Sequence, residues 1–225
     1  MTNQTSMDLN DIFKALDPDS QSSLMRVSVE KQYKKGQMVF DEGAQANTLY
    51  YIKAGWVKMG SHDDQGATSI HQVHNQGQFF CLPTVLMRAQ TRCQAVAGSD
   101  VTMLLIPATE LLAVVDRLPP IARTLLHKMA PAVREAHKAC DYCYTPVASR
   151  VASALLRLHE QFKGGELPVT RQELAQMAGT TPESTIRVMS VLQKKGVVAG
   201  DRGHLRILDL QALKSPCTMG GPGQA

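Results

Sequence analysis

The spacing of apolar residues changes character along this 225-residue chain. Residues 1–33 are mostly polar, with an amphipathic stretch at 9–16 and another at 24–29, interrupted by Asp17-Pro18; they predict an N-terminal helical cap. From Lys34 onward, short apolar runs alternate with glycine-containing turns. The runs cover 37–40, 48–53, 56–59 and 68–74; Gly77 opens the next stretch and 101–106 is the last clear run. Turns fall at Glu42-Gly43, at Gly55 and across 62–66. Many short strands at this spacing predict a compact antiparallel barrel or jelly roll.

Beyond Pro119-Pro120 the period becomes helical. Ala122, Leu126, Met129, Val133, Ala136, Cys140 and Cys143 recur at alternating steps of four and three, a heptad seam that predicts a long helix pairing with a second copy. The alternative is that the stripe packs on the barrel of its own chain. Pro131 lies within the seam and should kink or split the helix. Thr145-Pro146 marks a hinge or fresh start, followed by an amphipathic helix over 147–162 with Val151, Ala154, Leu155 and Leu158 inward. Lys163-Gly164-Gly165 ends it.

Residues 170–196 then read as two short helices around a turn at Gly179. Thr170 with Glu173 is a capping box, and Thr181-Pro182 supplies a hydroxyl cap followed by a proline suited to the first helical position. Gly196 stops the second helix. Along it, Thr185, Val188, Met189 and Leu192 fall on one side, while Glu183, Arg187, Ser190 and Lys194 fall on another. This is how a helix-turn-helix offers its second helix to base edges, arginine being the side chain best shaped for guanine O6 and N7. A solvated face on an ordinary helical hairpin is the alternative. Residues 197–198 and 205–208 flank Gly200, Asp201, Arg202 and Gly203, a hairpin that makes the motif winged. The candidate DNA-contacting residues are Thr181, Glu183, Ser184, Ile186, Arg187, Ser190, Lys194 and Arg202.

Composition adds three constraints. The 44% hydrophobic and 20% charged balance is that of a globular protein. With no signal-peptide pattern and no membrane-length apolar run, a cytoplasmic, membrane-free location is expected. Residues 145–214 hold ten Lys and Arg against six Asp and Glu, while the remainder holds fourteen of each, so the positive excess lies around the helix pair, as phosphate binding would require. Five cysteines without an export signal argue against structural disulfides and leave free thiols, redox thiols and metal ligands open.

The order of barrel, long pairing helix and winged helix-turn-helix resembles the CRP/FNR family of bacterial transcription regulators over roughly residues 24–212. KKGQMVFDEGAQANTLYYIKAGWVKM is similar to the first strands of its cyclic-nucleotide-binding fold, with Gly36, Gly43 and Gly55 at the turn glycines. TRQELAQMAGTTPESTIRVMSVLQKKGVV resembles its helix-turn-helix throughout. The resemblance implies a homodimer on palindromic DNA, with RNA polymerase as a further partner. Glu183 and Arg187 match the family's base-reading Glu and Arg. Pro182 stands where cAMP-dependent members carry another base-reading Arg, which implies TTGA-like half-sites. Ile186 stands where the FNR-like reader has Ser, and an isoleucine there could touch a thymine methyl.

The resemblance also locates a ligand pocket after Gly77. Family members that bind a cyclic nucleotide place a Glu on the ribose and an Arg-Ser pair on the phosphate; here Leu82, Arg92 and Cys93 take those positions. Leucine cannot accept the ribose hydroxyls, so the expectation is against cAMP, with Arg92 retaining room for a small anionic metabolite. Cys81 and Cys93 share this pocket, and Cys140 and Cys143 lie one turn apart on the seam, where a two-fold dimer would bring four sulfurs together. Cys81, Cys93, Cys140 and Cys143 are therefore candidate ligands for a metal ion or iron-sulfur cluster, or redox thiols; the alternative for each is a small hydrophobe filling space. The N-terminus lacks the three closely spaced cysteines of FNR-like oxygen sensors. GQFFCLP resembles the haem-ligating segment of a CO-sensing member, with Cys81 at its cysteine ligand, but Pro83 replaces its histidine; His71, His74, His127 and His137 are the substitutes within the chain.

An enzyme reading rests on Cys140-Asp141-Tyr142-Cys143 as a thiol oxidoreductase motif. Such motifs open helices, where the dipole lowers a thiol pKa; this one ends a helix, where it would raise it. The expected fold is α+β, with a helical cap and β-barrel sensor over 1–110, a dimerisation helix over 111–144, a winged helix-turn-helix over 145–212 and a flexible tail over 213–225 in which Cys217 is incidental. The expected activity is DNA-binding regulation under redox or metal control through cysteines, not catalysis.

Overall fold

The structure, a computed structural model, describes residues 16–62, 66–117, 122–123, 126–127, 130, 145–201 and 203–215. Met129, Pro131, Val133, Ala136, His137, Cys140, Cys143, Arg202 and Cys217 lie outside them. The chain divides into two compact units, one of residues 1–61 and 72–138 and the other of 62–71 and 139–225.

The first unit opens on helix α1, Pro18–Val27. Asp17 caps it, accepting from Ser20 N at 2.8 Å, and Pro18 takes the first helical position. The pair expected to interrupt a helix therefore starts one. The chain is already extended at Val29, where strand β1, Val29–Tyr33, begins. Only Tyr33 of this strand is buried, so no alternating pattern marks it in the sequence. Strands β2 (Met38–Phe40), β3 (Thr48–Ala54), β4 (Trp56–His62) and β5 (Thr68–Asn75) follow. Strand β6, Phe79–Phe80, leads into a short helix α2, Leu82–Leu86, then β7 (Gln94–Ala97), β8 (Val101–Pro107) and helix α3 (Ala108–Arg117). Helix α3 crosses the boundary expected at residue 110.

Two four-stranded sheets result, ordered β1-β8-β3-β6 and β2-β7-β4-β5. Antiparallel β8 pairs with both β1 and β3, placing Tyr33 beside Val101 and Ile52 beside Met103. Leu49, Ile52, Phe80, Leu82, Val85, Met103 and Ile106 fill the core, and burying each such side chain contributes about 1.5–3 kcal/mol. Gly98 lies flat against Trp56: a Cβ there would fall 2.3 Å from the indole.

The second unit is helical with a small hairpin. Helix α4, Val147–Gln161, buries Val151, Ala152, Ala154, Leu155 and Leu158. Helices α5 (Arg171–Ala178) and α6 (Pro182–Lys194) pack on it. Strands β9 (Val198–Ala199) and β10 (Arg206–Ile207) pair antiparallel, and helix α7, Leu210–Lys214, closes the unit. Leu213 is buried, so the last helix extends two residues into the stretch expected to be tail. Among the described residues no helix is long and apolar enough to cross a membrane.

Candidate nucleic-acid interface and sensor site

The turn between α5 and α6 is built by local chemistry. Thr170 N donates to Glu173 Oε2 at 2.8 Å while Glu173 N donates to Thr170 Oγ1 at 3.1 Å, the reciprocal capping box. Gly179 ends α5 in the left-handed region at φ 57°, and Thr181 Oγ1 accepts from Ser184 N at 3.2 Å to start α6. Both helix starts and the turn are thus held by bonds between residues close in sequence.

Packing then orients α6. Thr185, Met189 and Leu192 are buried, and the Thr185 hydroxyl is satisfied by the Thr181 carbonyl at 3.1 Å. The opposite side presents Glu183, Ile186, Arg187 and Lys194 exposed, with Ser184 and Ser190 half-covered. Arg187 Nη2 donates to Ser184 Oγ at 3.3 Å. The Glu183 carboxyl is held below the usual carboxylate range by its own backbone N–H, by Thr181 and by the charge of Arg187, so it is ionised and accepts only. An acceptor and a forked donor thus stand one turn apart on a solvent-facing helix.

The β9–β10 hairpin sits beside this helix's C-terminal end. Gln193 Nε2 donates to the Gly200 carbonyl at 2.9 Å, and Val197 N to the Leu192 carbonyl at 2.9 Å. Gly200 has φ 102°, and a Cβ on it would lie 1.8 Å from the His204 carbonyl oxygen. Glu166 bonds His204 Nδ1 and accepts from Arg206 Nη2 at 3.1 Å, which holds its carboxyl below the usual range and braces the hairpin base. Two cations went unread in the sequence. Arg150 Nε and Arg171 Nη1 are buried with no hydrogen-bond partner. Each looks in sequence like ordinary helix surface; only packing shows that it lacks an acceptor.

Within the first unit, Phe80 stacks on Tyr50 with centroids 4.9 Å apart, Phe40 lies 5.4 Å from Tyr50, and His74 stacks on Phe80 at 5.5 Å. Burial lowers the His74 pKa to about 4 and raises that of Tyr50 to about 12, the latter with a contribution from Tyr33. Cys81 follows Phe80 in the left-handed region at φ 73°. Burial pushes its thiol up to about 11, with Cys93 adding to the shift and Thr84 opposing it. Burial and then the charge of Glu42 raise the half-buried Cys93 thiol. Both thiols are free. Leu82 is fully buried in the core, whereas Arg92 is exposed. His71 and His127 are also exposed. Among the described residues no three His, Cys, Asp or Glu side chains are grouped to hold a metal.

Comparison with known proteins agrees with this arrangement. Residues 30–117 match the family description "Cyclic nucleotide-binding domain" and residues 149–215 match "Crp-like helix-turn-helix domain". The chain is 28% identical over 204 residues to the "Cyclic AMP receptor protein" of Thermus thermophilus, covering 90% of this chain and 94% of that one. It is 24% identical over 210 residues to the "CRP-like cAMP-activated global transcriptional regulator" of Mycobacterium tuberculosis, again covering 90% and 94%. The solved structure of FixK2 from Bradyrhizobium japonicum shares the fold at TM-score 0.72 and 22% identity, over 83% of this chain and 96% of that one. The chain belongs to the CRP/FNR family of DNA-binding transcription regulators. Its relatives are transcription regulators, not enzymes, and the expected α+β architecture of β-sheet domain and helix-turn-helix is present.

Proposed function

We propose that the chain works as a homodimer that reads palindromic, TTGA-like half-sites and alters its DNA affinity in response to cysteine chemistry. The observation that carries the DNA reading is the outer stripe of α6, where ionised Glu183 and exposed Arg187 stand together while Thr185, Met189 and Leu192 hold the opposite side in the core. Thr181, Ser184, Ile186, Ser190, Lys194 and Arg202 complete the contact set. Leu126, at a seam position, is 69% exposed in the single chain, which supports pairing. In this reading residues 1–110 sense, 111–144 pair and 145–212 bind DNA, with RNA polymerase as further partner and the cytoplasm as compartment.

Cys81 and Cys93, with raised thiol pKa values, are poor ligands by themselves at neutral pH. A metal ion or iron-sulfur cluster in this reading draws on Cys140 and Cys143. A second reading, a cyclic nucleotide, is favoured by the matched domain and by the names of the relatives. Burial of Leu82 at the ribose-binding position opposes it. Haem at Cys81 would need His74, whose ring is engaged with Phe80.

Selection from a randomised duplex pool should return half-sites about 34 Å apart centre to centre; a single unpaired site would defeat the dimer reading. Anaerobically purified protein should carry iron or zinc that is lost on replacing Cys140 and Cys143 together. Metal-free protein whose DNA affinity instead rises with cAMP would transfer the signal to the nucleotide.

A further inference from the structure

Ile186 is out of keeping with the face that carries it. It is 52% exposed and lies between Glu183 and Arg187 in sequence, while its neighbour Thr185, about 100° around the helix, is fully buried. It lies about 4.5 Å along the axis from Glu183 and about 60° around it, and about 100° from Arg187, so it flanks the Glu183 side of the arc that those two residues hold. The other exposed aliphatic residue of α6, Val191, is 36% exposed and about 140° away around the helix, so the two form no common apolar patch for a protein partner. An isoleucine left half exposed gains only part of what full burial would contribute, and its branched Cβ fixes essentially one χ1 rotamer there. It is therefore a stiff apolar probe among polar groups. The apolar feature that the major groove offers to such a probe is the methyl group on C5 of a pyrimidine.

We propose that Ile186 reads the 5-methyl group of one pyrimidine in each half-site, so that the protein separates thymine from cytosine by that methyl and accepts 5-methylcytosine in place of thymine. The inference rests on α6 being the base-contacting helix. It makes the methylation state of a cytosine at that position an input to binding, independent of the hydrogen bonds made by Glu183 and Arg187.

The test uses the full-length chain and a duplex that it selects from a randomised pool. Each thymine is replaced in turn by deoxyuridine, which removes only the methyl, and binding is titrated by fluorescence anisotropy. One position should weaken binding about fourfold when altered in one half-site and on the order of fifteenfold when altered in both. Cytosine at that position should bind weakly, and 5-methylcytosine should recover affinity. Ile186→Ala should bind the thymine and deoxyuridine duplexes alike, while Ile186→Val should keep most of the difference. Ile186 is 52% exposed and is not among the buried core residues, so neither variant should unfold the protein. A flat methyl scan with an Arg187-dependent sequence preference would overturn this inference alone. Absence of any sequence preference would overturn the base-contacting role of α6 and this inference with it.

Discussion

Arg187 Nη2 reaches back one turn to Ser184 Oγ at 3.3 Å, and Ser184 N is itself held by Thr181 Oγ1 at 3.2 Å. The helix cap and the guanidinium proposed to read a base are therefore linked through one serine. The link restricts where the fork can point before DNA arrives and lowers the ordering cost of binding. Arg187→Ala should lose about 1–3 kcal/mol of preference for a guanine in the half-site, measured by competition between matched and altered duplexes. Arg187→Lys keeps the charge but not the bidentate geometry, so non-specific binding should persist while discrimination falls.

Gly200 permits the hairpin turn because of both its φ of 102° and the 1.8 Å approach of its absent Cβ to the His204 carbonyl. Gly200→Ala should destabilise the second unit by about 1–3 kcal/mol and weaken DNA binding. Thermal unfolding followed by circular dichroism would show it; an unchanged melting temperature would mean that the hairpin tolerates a side chain there.

Gly98→Ala probes the first unit in the same way, since the added methyl would meet the Trp56 ring at 2.3 Å. Overpacking of this kind costs about 1–3 kcal/mol. Trp56 is the chain's single tryptophan, so its emission reports on this contact without labelling. The variant should show a shifted emission maximum and an earlier loss of the sheet signal on heating.

His74 makes stability depend on acid. Its pKa is lowered to about 4 in the fold against 6.5 for a free imidazole, so below pH 6.5 the unfolded chain binds the extra proton first. The stability that neutral His74 contributes is complete above about pH 6.5 and is lost as pH falls toward 4. His74→Phe keeps a ring against Phe80 and should flatten this limb of a urea-midpoint-versus-pH curve. Cys81 and Tyr50, raised to about 11 and about 12, act at the other end. The protonated forms that they favour stabilise the fold below about pH 9, and that contribution falls as pH rises through those values.

The helix-turn-helix could be read directly because every signal in it is local. Thr170 with Glu173, Gly179, and Thr181 with Pro182 determine their conformation within four residues, and the structure has each of these caps. The strands from Thr48 and from Val101 were legible for a similar reason, since apolar runs bounded by glycine need no partner to be recognised. Strand β1 was missed because its sequence, VEKQY, leaves four of five residues exposed; its pairing with β8 creates it. Phe79–Phe80 and Gln94–Ala97 are too short to show a period, and they depend on β3 and on β2 and β4. The role of His74 was also hidden. Strand β5 buries Ile70 and Val73, three apart, so alternation does not show whether His74 faces inward. Its stacking on the Phe80 ring appears only once the chain is folded.

The bond from Gln193 to the Gly200 carbonyl has a consequence for transplanting this domain's specificity. A chimera whose junction falls between residues 193 and 200 would part that glutamine from the turn it fits, and a parent without glutamine at 193 would leave the carbonyl without this donor. Junctions before residue 166 and after residue 208 would carry the Glu166 brace, the reading helix and the hairpin together. Residues 166–208 hold these bonds together, but helix α4 and Leu213 complete their core, so 147–214 is the segment that moves with its packing.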